Sequence, residues 1–106
     1  MPFADAGVAD TKTLVAGGAL LLDVRTDPEV ARGIIPGARH VVLQDLPSRL
    51  DELPRSGSIV VYCQSGGRSA HAANFLASQG FGSVYNLQGG ILAWLREGEP
   101  IEQPKV

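Results

Sequence analysis

Four short apolar runs, each followed or preceded by a helix-compatible stretch, constrain what this chain can fold into. They are Ala19–Leu22, Val41–Leu43, Ser58–Tyr62 and Ser83–Leu87. Ala19-Leu20-Leu21-Leu22 is continuous rather than alternating and is closed by Asp23, as in a strand covered on both faces. Strands that alternate with short helices through short loops select an α/β domain with a mostly parallel sheet. Right-handed crossovers then place helices on both faces of that sheet. At 106 residues the chain is long enough for one such core and too short for two, so residues 1–106 read as a single domain with its core over about 8–98.

Local signals place the helices. Met1–Ala9 reads as an arm with a short first strand. Asp10 is a candidate N-cap for a helix over Thr11–Ala16, which Gly17-Gly18 ends. Thr26 or Asp27 can cap a short helix that starts near Pro28 and runs to about Arg32. Gly33–Ala38 is a turn-rich connector. Leu46, Leu50 and Leu53 have helical spacing, so the segment Pro47–Leu53 reads as a helix that stops before Pro54. Ala70–Gln79 reads as a helix with Ala72, Ala73, Leu76 and Ala77 on its apolar face, closed by Gly80. Gly89-Gly90 opens a last helix over Ile91–Arg96, and Gly98–Val106, with two prolines, reads as a loosely packed tail.

The chemistry concentrates in Cys63-Gln64-Ser65-Gly66-Gly67-Arg68-Ser69, which holds the sequence's one cysteine. A strand, a glycine turn and a helix start would set that cysteine above backbone N–H groups at the positive end of a helix, where an anion is favoured. A thiolate is such an anion, and sites of this kind bring a thiol from about 8.5 down to roughly 3.5–7.5. Gly66 and Gly67 permit the turn, and Arg68 offers a planar cationic fork suited to an oxyanion. A lone cysteine that ends a strand is ordinarily packing, but packing requires neither the glycines nor Arg68. Ser69 can donate to the loop or cap the helix, while Gln64 and Ser65 read as loop side chains that face an incoming group. Asp23 and Arg25, at the end of a strand, read as an ion-pair network supporting the loop rather than as an acid–base pair. His71 falls off the apolar face and reads as solvated, His40 has no partner motif, and Trp94 reads as core.

Other classes of function lack support. Net charge is −2 without a basic run, which argues against a nucleic-acid surface. One cysteine forms no internal disulfide. No Cys/His cluster has metal-ligand spacing, and neither a metal nor another cofactor is expected. The start of the chain lacks the features of a signal peptide and no run reaches the roughly 20 apolar residues of a membrane span, so a cytoplasmic protein without membrane contact is expected.

Taken together, four motifs resemble those of single-domain rhodaneses. They are Leu22-Asp23-Val24-Arg25 with Glu29 and Gly33, Pro36-Gly37-Ala38, Tyr62-Cys63 through Ser69, and Leu87-Gln88-Gly89-Gly90 with Trp94. The resemblance runs from about Val8 to Gly98. Ile34 stands where the family commonly has His, and Val30 where an aromatic residue is usual. The resemblance implies a five-stranded, mostly parallel sheet flanked by helices, and a sulfurtransferase in which Cys63 carries sulfane sulfur as a persulfide. The donor would be thiosulfate or a persulfide, and the acceptor cyanide or a thiol, including a protein thiol. Rival readings are a persulfide carrier or regulatory module without turnover of its own, and an arsenate reductase or cysteine phosphatase on the same scaffold. Against a phosphatase, only four residues separate Cys63 from Arg68, and the loop contains no aspartic acid.

Overall fold

The computed structural model describes residues 2–104. Five strands form one parallel sheet in the order β1-β5-β4-β2-β3, with β1 at Ala4–Ala6, β2 at Leu20–Asp23, β3 at Arg39–His40, β4 at Ile59–Tyr62 and β5 at Val84–Leu87. The helices are α1 (Val8–Ala16), α2 (Asp27–Ala31), α3 (Gly67–Ser78) and α4 (Gly90–Arg96). All four residues of β4 are buried. Side chains of this central strand alternate between two cores. Ile59, Val61 and Cys63 join Leu22, Ala72, Ala73 and Leu76 on the α3 face. Val60 and Tyr62 join Leu21, Leu87, Ile91 and Trp94 on the face of α1 and α4. The expected α/β architecture, parallel sheet and two-sided cover are all present.

Several boundaries differ from the sequence reading, each for a physical reason. α1 begins at Val8 behind Gly7, whose carbonyl accepts from Thr11 N at 2.9 Å; Asp10 lies inside the first turn, where its charge suits the helix dipole. The third strand is Arg39–His40 rather than Val41–Leu43. Val41 N and Leu43 N still donate to Asp23 O and Val24 O, at 3.0 and 3.2 Å, but Leu43 already starts a 3₁₀ turn that ends the strand. Pro47–Leu53 is no α-helix: two 3₁₀ turns cover Leu43–Ser48 and Leu50–Glu52. Pro47 has no N–H to give, and Arg49, with φ −121°, separates the turns. Leucines spaced three and four apart serve either helix type. α3 starts at Gly67 rather than Ala70, which puts Arg68 and Ser69 in its first turn. On that helix Ala72, Ala73 and Leu76 are buried as expected, while Ala77 is half-buried.

The tail is also held. Ile34 and Glu102 exchange two backbone hydrogen bonds of 2.8 Å, and Trp94 Nε1 donates to Pro100 O at 2.7 Å. Met1 at the end of the arm, and Lys105 and Val106 at the end of the tail, lie outside the described residues.

Two contacts tie α4 to the end of β4. Ile91 N donates to Cys63 O at 2.9 Å, and Leu92 N to Gln64 O at 3.2 Å. Gly90 makes this approach possible: its φ is +60°, and a Cβ there would lie 2.6 Å from Cys63 O and closer still to Gln64 O. Both obstacles are backbone. Gly90→Ala should therefore lower unfolding free energy by about 2–4 kcal/mol in urea titrations, from left-handed strain and overpacking together. A loss below about 0.5 kcal/mol would show that α4 can withdraw from the loop without cost.

Candidate active site

The loop after β4 owes its shape to Gly66. With φ +113° and ψ −12°, Gly66 occupies the left-handed region as N-cap of α3 and turns the chain directly from strand into helix. The turn brings donors onto the Cys63 sulfur. Gly66 N lies 3.1 Å from Sγ, Ser69 N 3.4 Å and Ser69 Oγ 3.3 Å. Cys63 itself is only 1% exposed. Burial is the largest influence on its ionisation and pushes the thiol up. Hydrogen bonds available to the ionised sulfur, from the Ser69 hydroxyl and from the N–H groups of Ser69, Gly66 and Ser65, more than offset it and hold the thiol below its ordinary value.

Of the expected site residues, the structure gathers Cys63, Gly66 and Ser69 around one sulfur. Gln64, Ser65 and Gly67 are exposed and form the rim. Arg68 has a partner within the fold: its fork pairs with Glu29, through Nη1 to Oε1 and Nη2 to Oε2, both at 2.8 Å. Glu29 is already fixed when it receives Arg68. Thr26 N and Thr26 Oγ1 donate to its Oε1 at 3.0 and 2.9 Å, within a capping box at the start of α2. A ready-made bidentate carboxylate is the best partner a guanidinium can find, so it takes Arg68.

Asp23 and Arg25 form the ion-pair network the sequence suggests. Arg25 Nη2 donates to Asp23 Oδ2 at 2.7 Å, Arg25 Nε reaches both carboxylate oxygens at 3.0–3.1 Å, and Arg25 N donates to Asp23 Oδ1 at 2.9 Å. Arg25 Nη2 also donates to Gly33 O at 2.8 Å, and the guanidinium carbon lies 5.7 Å from the centre of the Tyr62 ring. The Tyr62 hydroxyl accepts from Ile35 N at 3.1 Å; burial, followed by the Asp23 carboxylate, pushes its pKa up and keeps it protonated. His40 Nε2 sits 2.6 Å from Arg25 O, so the residue without a motif belongs to this network, whereas His71 is exposed as expected. Trp94 lies in the core, 7% exposed.

Two residues of the site escaped sequence reasoning as site members. Asn86 Oδ1 lies 2.6 Å from Ser69 Oγ, and its Nδ2 reaches Asp5 Oδ1 at 3.3 Å and Gly66 O at 3.4 Å. Its signal was a polar residue within the apolar run Ser83–Leu87, since a buried amide requires partners. Glu29 carried a signal too, the Thr26-x-x-Glu29 spacing of a capping box.

The Arg68 hydrogen bonds, acting against burial, hold Glu29 down at about 2, from an ordinary value of 4.5. A folded-state value below the unfolded one contributes stability above the unfolded value and loses it as pH falls through the folded value. Arg68 is 37% exposed, so solvent limits the pair to about 0.5–1 kcal/mol. Glu29→Gln keeps an acceptor for the capping box and removes the charge. Urea unfolding should show the variant less stable than wild type at neutral pH, with the two converging as pH drops from about 4.5 toward 2. A gap that stays constant over this range would mean the ion pair does not act.

Residues 8–97 match the Rhodanese-like domain. The chain is similar to a protein of Allochromatium vinosum named sulfurtransferase, at 44% identity over 98 residues that span 92% of this chain and 87% of that one. It is also similar to thiosulfate sulfurtransferase GlpE of Pseudomonas fluorescens, at 38% identity over 77 residues, covering 73% and 71%. The crystal structure of a rhodanese-related protein from Thermoplasma volcanium superposes with a TM-score of 0.85 at 30% identity, over 94% of this chain and 98% of that one. With the fold, the loop and these likenesses in agreement, the chain belongs to the rhodanese-like domain family.

Proposed function

We propose that the protein is a sulfurtransferase that moves sulfane sulfur from thiosulfate or a persulfide to cyanide or a thiol through a persulfide on Cys63. The observation that carries this reading is the convergence of Gly66 N, Ser69 N and Ser69 Oγ on Cys63 Sγ. The thiolate attacks the outer sulfur of thiosulfate; the donor's S–S bond breaks and sulfite leaves with its electron pair. The acceptor then attacks the terminal sulfur of Cys63–S–S⁻ and Cys63 departs as a thiolate. Two half-reactions on one nucleophile give ping-pong kinetics. Sulfurtransferase names among the relatives support the same class of reaction.

Arg68 acts here as a latch between α3 and α2, because sulfonate binding would compete with a bidentate carboxylate. The anion site is the ring of backbone N–H groups, and the four-residue spacing between Cys63 and Arg68 favours a single sulfur over the three oxygens of a phosphoryl group. A cleft of about 190 Å³ lined by Gln64, Leu92, Leu95 and Ile101 gives an acceptor an approach to the rim.

Steady-state assays with thiosulfate and cyanide should form thiocyanate with parallel double-reciprocal lines. Cys63→Ser should reduce kcat by more than about a thousandfold, and hydrolysis of an aryl phosphate should be negligible. Retained thiocyanate formation in Cys63→Ser, or phosphatase turnover that depends on Cys63, would defeat the proposal.

A further inference from the structure

Ser69 stands between two partners and has one proton. Its Oγ is 2.6 Å from Asn86 Oδ1 and 3.3 Å from Cys63 Sγ. The Asn86 amide decides where the proton goes. Its Nδ2 faces Asp5 Oδ1 and Gly66 O, a carboxylate and a carbonyl that only accept, so the amide oxygen is the atom turned to Ser69. An amide oxygen has no proton to give. The Ser69 hydroxyl therefore donates to Asn86 and turns a lone pair toward the sulfur.

We propose that Asn86 is a positioning residue that withholds the Ser69 proton from Cys63. In the resting site Sγ–H donates to Ser69 Oγ, and the thiolate gains the Ser69 hydrogen bond only after the hydroxyl leaves Asn86. Several charged groups on the surrounding elements are already engaged, while Arg32 after α2 lines the cleft beside Gln64. Asp5 of β1 acts through Asn86, Asp23 and Arg25 at the end of β2 pair with each other, and Glu29 of α2 pairs with Arg68 of α3. His40 of β3 sits on Arg25 O. The segment of 3₁₀ turns contributes apolar side chains to the cluster that holds Cys63, among them Leu46 and Leu53.

The consequence depends on the sulfurtransferase reading. Once Cys63 carries a second sulfur, Sγ holds neither a proton nor the full charge, so Ser69 can remain on Asn86. The competition thus disfavours the bare thiolate relative to both the thiol and the persulfide. A less stabilised thiolate is the stronger nucleophile.

Asn86→Leu removes the competing acceptor at similar volume. The midpoint of Cys63 alkylation rate against pH should fall by roughly 0.5–1 pH in this variant, because the freed hydroxyl can donate to the thiolate. Ser69→Ala should raise the midpoint by a similar amount in the Asn86→Leu background, and by less than half as much in the wild-type background. An Asn86→Leu midpoint that is unchanged or higher, or equal Ser69→Ala effects in both backgrounds, would overturn the proposal. Should Asn86→Leu fail to fold, the infrared S–H band of the single cysteine decides. It should move to higher frequency in Ser69→Ala, and a band that stays in place would show that Ser69 does not accept from the thiol. Neither readout involves sulfur transfer, so this proposal and the sulfurtransferase assignment can fail separately.

Discussion

The direction in which the peptides at the end of β4 point governs the site. Cys63 O and Gln64 O are drawn toward α4 by Ile91 N and Leu92 N, and Gly90 lets the two backbones meet. With the carbonyls held on that side, the left-handed turn at Gly66 directs the following N–H groups to the sulfur. A side chain at either glycine would strain the arrangement, since each has φ in the left-handed region. The sheet contributes by delivering Cys63 from a fully buried strand, so the thiol starts from a fixed position. What positions the chemistry is thus mostly backbone, and few side chains contribute directly.

The electrostatics follow the same economy. Asp23 with Arg25 and Glu29 with Arg68 are each closed pairs. The Asp23–Arg25 pair joins the end of β2 to the connector at Gly33, and the Glu29–Arg68 pair joins the start of α2 to the start of α3. The thiolate is favoured by N–H dipoles that cost nothing to reorient, because the helix and turn have already fixed them. Burial works in the opposite direction, and the balance between the two leaves a thiol that ionises more readily than a free one while staying shielded.

Much of this was legible in the sequence where a local rule sufficed. Ala19–Leu22 and Ser58–Tyr62 read as buried strands, and Cys63–Ser69 reads as a strand–turn–helix nucleophile loop, because continuous apolar runs and paired glycines have few other uses. The failures came where two physical causes leave the same trace. Leucine spacing fits an α-helix and a 3₁₀ turn alike, and the apolar run Val41–Leu43 marks burial beside a strand as readily as the strand itself. The Arg68–Glu29 pair was not legible because its partners lie 39 residues apart, and nothing local shows that the Thr26–Glu29 capping box presents a carboxylate to the guanidinium. Asn86 was missed for the same reason, since its partners Ser69, Gly66 and Asp5 meet only once β1, β5 and α3 are assembled.

The central claim is that Cys63 holds one transferable sulfur. Intact mass spectrometry of the protein after brief exposure to thiosulfate and removal of excess donor tests it most directly. The account predicts a gain of one sulfur atom per chain, located on the peptide that contains Cys63 and removed by cyanide with formation of an equal amount of thiocyanate. A protein that forms thiocyanate in the presence of both substrates yet never carries sulfur, or carries it on a peptide other than that of Cys63, would contradict it.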